Sequence, residues 1–376
     1  MFPSVQEGRK SGIPNSAFGS CQKPKYAQKG FDSADIVRDF RLPEFPGVDS
    51  ISWHNRRYSG THNFVAQMKS TTKKIIIVVL VIFIGLPVAL TLMASAAFWV
   101  MDKTNGTIVS SGVTRRYLLY VPRSYDSSKS TPLVISIHPA ATWPAVEMAI
   151  SRWNDVAERY GFIVVYPAGS GVLFGGFGPG PDVWPGNSED VKFVSDLIDK
   201  LQREYNVDQN RIYANGMSNG GDMAIVLSCQ LPDRIAGVGS VAGAYPQSEE
   251  FCPNSKPVPV VMFHGTADKL APYQGGKSPI APFPFANVQE RAARLAQRNK
   301  CMGGPVASRI APSVHRLAYP NCAANADVVL YTIEGGGHTW PGGKCIAEWV
   351  AGRTTDEISA TSLTWDFFVE HPRKLK

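Results

Sequence analysis

From about residue 102 onward, short apolar runs alternate with longer amphipathic stretches. The runs Arg115–Val121, Pro132–Ile137, Phe162–Tyr166, Arg211–Ala214, Ile235–Val241, Val258–Phe263 and Val328–Ile333 have the length and density of buried strands. Between them the pattern predicts helices over Val146–Tyr160, 189–205, Asp222–Cys229, Asn287–Arg298 and 359–370. The second of these opens with Asn187 or Ser188 as cap and carries Glu189 and Asp190 in its first turn, where carboxylates favour the helix dipole. Strands alternating with helices imply a mostly parallel sheet covered on both faces. Residues 168–187 break the pattern with a long Gly/Pro loop carrying Phe174, Phe177 and Trp184.

The first hundred residues read differently. Residues 1–67 show no sustained period and are expected to be disordered. Lys73 and Lys74 then precede an apolar run from Ile75 to Met101 that, as a helix, would reach about 40 Å. Two readings fit it. It is a transmembrane anchor, with the lysines placing residues 1–74 in the cytoplasm. Alternatively, a signal peptide begins at Met68 and runs through the apolar stretch to Ala94-Ser95-Ala96, an A-x-A cleavage site. That grammar is complete from Met68 and absent before it, which favours Met68 as the start. The chain thus divides into an arm (1–67), a signal or anchor (68–101) and one large α/β domain (102–376). Either reading exports that domain, to an extracellular or periplasmic location.

Charge supports this division. The net charge of +7 sits mostly on the arm: residues 1–101 hold 12 Lys+Arg against 6 Asp+Glu, leaving 26 against 25 for the remainder. A nearly neutral domain gives no reason to expect nucleic acid or a strongly charged substrate. There is no phosphate-binding P-loop, no dinucleotide fingerprint and no zinc-type cysteine pair, so neither cofactor nor metal is expected.

The candidate chemistry centres on Gly216-Met217-Ser218-Asn219-Gly220-Gly221, between a predicted strand and a predicted helix. A G-x-S-x-G turn needs small flanking residues because the turn is tight and the serine backbone strained. An exposed serine becomes a nucleophile only when a base takes its proton and a third group orients that base. Asp268 and His338 follow in the order such sites use, each just past a strand, with Glu334 a rival for the acid. His138 and His264 precede Asp268 and are expected to tie down loops, whereas His315 is expected in a loop of its own. For the oxyanion, one backbone N–H should come from Asn219. The other should come from His138-Pro139-Ala140-Ala141, where Pro139 has none, so Ala140 is the candidate and Ala141 the runner-up. Trp143, Trp184 and Trp340, with Phe174 and Phe177, are expected to offer aromatic area to a substrate.

Together these motifs resemble the secreted polyhydroxybutyrate-depolymerase-type esterases, which include feruloyl and acetylxylan esterases. The resemblance covers about residues 113–370. It rests on Tyr205–Asp208, the Ser218 turn, Leu231-Pro232-Asp233, Val241–Ala244, Phe263–Asp268 and Gly336–Gly343. It implies an α/β-hydrolase fold, a Ser218–His338–Asp268 triad, and no cofactor. The departure is the Pro139-Ala140-Ala141 loop, where the family usually has glycine after the histidine, followed by cysteine or glycine. The resemblance also supports the disulfides that local loops suggest, Cys229–Cys252 and Cys301–Cys322, leaving Cys345 unpaired. The expected function is hydrolysis of short acyl, phenolic or hydroxyalkanoate-oligomer esters. No Ser/Thr/Gly-rich linker follows the last helix, so crystalline polyester is not the expected substrate. The alternative is a membrane-anchored binding protein on a hydrolase scaffold, silenced by the altered oxyanion loop.

Overall fold

The computed structural model describes residues 74–75, 77–86, 88, 103–169, 189–245, 255–344 and 347–373. They fall in two units. In the first, the described residues between Lys74 and Val88 are helical, with a π-helical turn at Val81–Gly85. Among the described residues no helix is long and apolar enough to cross a membrane. The expected arm, and all of the expected signal or anchor beyond Val88, lie outside the described residues.

The second unit is the α/β domain. Its main sheet has ten strands: β1 (Gly106–Ser110), β2 (Val113–Tyr120), β3 (Thr131–Ile137), β4 (Ile163–Pro167), β5 (Val207–Met217), β6 (Gly237–Val241), β7 (Val260–Gly265), β10 (Val306–Ala311), β11 (Val314–Tyr319) and β12 (Val328–Ile333). A separate hairpin joins β8 (Gly276–Ser278) to β9 (Ala281–Phe285). The order across the main sheet is β1-β2-β4-β3-β5-β6-β7-β12-β11-β10. From β4 to β12 every neighbour is parallel, and both margins are antiparallel. This is the α/β-hydrolase fold.

The strands bury both faces, and the period of two sorts their side chains. On β3, Leu133, Ile135 and Ile137 enter one core, and Val134 enters the other. The first core is closed by α3 (Glu189–Glu204), α4 (Asn219–Gln230) and α5 (Val288–Arg298). The second is closed by α1 (Pro144–Ser151), α2 (Trp153–Tyr160) and α7 (Ala360–Glu370). Stacked rings fasten α7 to this face: Tyr213 lies 4.4 Å from Phe368, and Phe162 lies 3.9 Å from Trp365. Asn287 caps α5 by accepting from the Gln289 and Glu290 amides.

Some expected elements differ. The helix expected over Val146–Tyr160 is two, because Arg152 adopts a left-handed φ of 58° and starts a new axis. β10 and β11 form an antiparallel extension that the pattern did not announce, and His315 lies on β11 rather than in a loop. Cys301 and Cys322 are bridged, as expected, across the base of that extension. Cys229 is also disulfide-bonded, whereas Cys252 and Cys345 lie outside the described residues.

Candidate active site

β5 delivers Ser218 and α4 leaves from it. Ser218 has φ 55° and ψ −121°, a conformation L residues rarely adopt, at a cost of about 1–3 kcal/mol. The turn is pinned on both sides: Ser218 N–H donates to Val241 O (2.8 Å), and Ala244 N–H donates to Ser218 O (3.2 Å). The flanking glycines are required by contact. A Cβ on Gly216 or Gly220 would overlap the Ile137 carbonyl, and one on Gly221 would meet the Ser240 hydroxyl at 2.7 Å. The end of β3 therefore lies directly against the start of α4. As the first residue of α4, Asn219 has an N–H with no intrahelical partner.

A buried polar network sits behind this strand. Ser136 Oγ lies 2.9 Å from Glu147 Oε1 and 3.1 Å from Asn215 Oδ1, which also accepts from Trp153 Nε1 at 2.8 Å. One hydroxyl proton cannot serve two acceptors well. The count closes when Glu147 is a neutral acid donating to Ser136, which donates on to Asn215. Burial drives that state, pushing the Glu147 carboxyl up to about 8.

The loop after β3 is held by His138. Its Nδ1–H donates to Pro139 O (2.9 Å), and its Nε2 accepts from Gly169 N–H (3.1 Å), the loop-tying role expected of it. Burial lowers its pKa and keeps it neutral. Ala140 is half-buried, and Ala141 takes a left-handed φ of 56°, a conformation glycine would adopt with less strain.

The loops after β7 and β12 are stitched together. Their strands pair in parallel, with His264 opposite Thr332 and Gly265 opposite Ile333. Beyond the strand ends, Thr266 N–H donates to Ile333 O, Ala267 N–H to Gly336 O, and Gly335 N–H to Thr266 Oγ1. Any side chain at Gly265 would strike the Gly336 carbonyl. This brings Asp268 to His338: Nδ1 of the histidine lies 2.8 Å from Oδ2 of the carboxylate. Oδ1 accepts from the Leu270 and Ala271 amides at 2.9 and 2.8 Å. Burial alone would raise the Asp268 carboxyl, but hydrogen bonds from His264 and His338 outweigh it and hold it well below the usual range. Glu334, the rival acid, pairs instead with His315 at 2.8 Å. Among the described residues the Ser218 hydroxyl makes no hydrogen bond. In free enzymes such bonds are often long and tighten only around a substrate.

The aromatic expectations fare unevenly. Trp340 is 1% exposed and its indole N–H is taken by Thr361 Oγ1 at 2.9 Å. It is a core residue rather than an open platform. Trp143 is half-buried at the start of α1. Phe174, Phe177 and Trp184 lie outside the described residues. A different tryptophan, absent from the expectations, stands out: Trp349, 89% exposed on the short helix α6 (Glu348–Ala351). That helix touches the site, since Ala351 O accepts the His338 N–H at 2.6 Å. Nothing in the local sequence marks Trp349 as exposed. Among the described residues no cluster of His, Cys, Asp or Glu is arranged to hold a metal.

Comparison with known proteins groups the chain with esterases. A family model described as "Phospholipase/Carboxylesterase" matches residues 186–282, which include Ser218 and Asp268. The chain is 30% identical over 285 residues to "Putative esterase NocK" of Nocardia uniformis subsp. tsuyamanensis, covering 71% of this chain and 82% of that one. The chain belongs to this esterase family. It is a carboxylic ester hydrolase by kinship. Feruloyl esterase B of Piromyces equi is 31% identical over 239 residues, covering 61% of this chain but only 44% of its own length. Poly(3-hydroxyalkanoate) depolymerase C of Paucimonas lemoignei is 25% identical over 236 residues, covering 56% of each. Among solved structures, an acetyl xylan esterase from Aspergillus awamori aligns with a TM-score of 0.49 at 15% identity, covering 70% of this chain and 98% of that one.

Proposed function

We propose that this protein is an exported serine esterase in which Ser218 attacks the ester carbonyl, His338 carries the proton and Asp268 orients His338. The observation that carries the reading is the Asp268–His338 hydrogen bond, held by stitched loops, in a fold that presents Ser218 at a strained strand-to-helix turn. Asp268, an anion that accepts from Nδ1–H, keeps the His338 proton there and leaves Nε2 free to take the Ser218 proton. Attack then gives a tetrahedral oxyanion, stabilised by the N–H of Asn219 at the start of α4 and by that of Ala140 in the loop after β3. His338 returns the proton to the departing alcohol, and water releases the acyl group by the same steps in reverse.

The substrate we assign is a short acyl, phenolic or hydroxyalkanoate-oligomer ester. Ser218 and His338 are 3% and 6% exposed, so the ester must enter as a small molecule or a chain end. Feruloyl esterase and polyhydroxyalkanoate depolymerase among the relatives fit this class. Export is supported by the Cys301–Cys322 disulfide, a bond that persists in oxidising compartments. Residues 68–101 would supply the signal, and the N-terminus of the native protein tests that assignment.

The deciding experiment pairs a fluorophosphonate label with turnover of p-nitrophenyl esters. Wild type should label at Ser218 and turn over, and Ser218→Ala should do neither. A folded wild type that binds esters, takes no label and hydrolyses none would instead establish a binding protein on a hydrolase scaffold.

A further inference from the structure

Asp268 faces two histidines, and the proposed mechanism uses one. The second is His264, at the end of β7, whose Nε2 lies 3.3 Å from Asp268 Oδ2 and 2.8 Å from Ala271 O. A carbonyl can only accept, so the Nε2 nitrogen of His264 carries its proton, and that N–H is shared between Ala271 and the carboxylate. The other ring nitrogen, Nδ1, is buried with no partner. A residue present only to fill space would not strand a polar atom in this way, a loss of about 1–3 kcal/mol.

We infer that His264 is a positioning residue for the catalytic acid. Oδ1 of Asp268 is fixed by the Leu270 and Ala271 amides. Oδ2 takes Nδ1–H of His338 from one side and Nε2–H of His264 from another. With these four donors in place the carboxylate plane cannot turn, and His338 meets Oδ2 at one angle. The side chains of Asp268 and His264 are 0% and 1% exposed, so water cannot take over the His264 bond. The ring itself is braced edge-on by Tyr273, centroids 5.9 Å apart, and Tyr273 is tied to β12 through Thr332 Oγ1 at 2.8 Å. The donor that steadies the acid is thus linked to the strand that carries the base.

This inference rests on the triad reading, and the experiment separates the two. Ser218→Ala tests the triad. His264→Leu and His264→Gln test the inference, because a glutamine amide can offer an N–H where Nε2–H stood. Expected for His264→Leu is a kcat lower by roughly 10- to 100-fold, the scale of one charge-assisted hydrogen bond, with KM within about twofold. His264→Gln should recover most of that kcat. The proton resonance of His338 Nδ1–H should be sharp and far downfield in wild type, broadened in His264→Leu and restored in His264→Gln. If His264→Leu does not fold, His264→Gln decides alone: a folded, active variant with the downfield proton supports the role. An inactive Ser218→Ala alongside a fully active His264→Leu overturns the inference and leaves the triad standing. So does a folded His264→Gln as impaired as His264→Leu. An active Ser218→Ala overturns both.

Discussion

Asp268 meets His338 through Oδ2 and Nδ1 at 2.8 Å, while its Oδ1 is occupied by two backbone amides. That division of labour within one carboxylate makes the effect of a single atom predictable. In Asp268→Asn the carboxamide oxygen must keep the two amide donors, which leaves the NH₂ facing His338. The histidine then has to accept at Nδ1 and carry its proton on Nε2, where it can no longer deprotonate Ser218. We expect kcat to fall about 10³- to 10⁴-fold with little change in folding, read by p-nitrophenyl ester turnover and thermal melting. Glu334→Gln, which only removes the charge facing His315, should stay near wild type. Comparable losses in both variants would reverse the assignment of the acid.

Glu147 gives a pH signature in stability. Its folded carboxyl is pushed up to about 8 by burial, from an ordinary 4.5. A raised pKa means that the folded state holds the proton after the unfolded state has lost it. The stabilisation is complete below about pH 4.5 and drains away as pH rises toward 8. Glu147→Gln keeps a neutral side chain at every pH, so its Tm should fall less between pH 5 and 8 than that of wild type. Parallel melting curves for the two proteins across that window would count against a neutral Glu147.

The Cys301–Cys322 bridge spans a sequence separation of 21 residues. Closing a loop of that size is worth about 3 kcal/mol through the unfolded chain. The Cys301→Ser/Cys322→Ser double variant should therefore melt several degrees lower, with kcat at 25 °C within about twofold of wild type. An unchanged Tm would mean that β10 and β11 hold their place without the bridge.

Trp349 is a candidate to meet a bulky ester, because its helix accepts the His338 amide and its ring faces solvent. Trp349→Ala should raise KM for methyl ferulate or a hydroxybutyrate trimer by about tenfold and leave p-nitrophenyl acetate unaffected. Equal effects on large and small esters would place this ring outside the substrate path.

Much of the site could be read from the sequence because its constraints are local. Gly216 and Gly220 mark a turn that admits no Cβ, and such a requirement shows directly in composition. Asp268 and His338 could be paired because each follows an apolar strand, and parallel strands put their following loops on one edge. Trp340 misled because a tryptophan after a glycine-rich loop reads the same whether it turns toward the cleft or, as here, into the core against Thr361. The break at Arg152 has no glycine or proline to announce it. β10 escaped notice because its side chains are almost all exposed, so no alternation of apolar and polar residues is required of it. His264 looked like a loop anchor, which it is; its second bond depends on where Asp268 lies in space.

The proposed nucleophile and its proposed base enter the chain at very different times. During synthesis the Ser218 turn can close once β6 has been added, since its anchors are Val241 and Ala244. Asp268 follows with β7. His338 arrives only after β10 and β11 have been made and β12 has slotted between β7 and β11. On the proposed mechanism, a half-made chain would have the serine but nothing to draw off its proton. On that mechanism, reactivity is withheld by the order of the polypeptide itself, because the last strand of the sheet to be made brings the base.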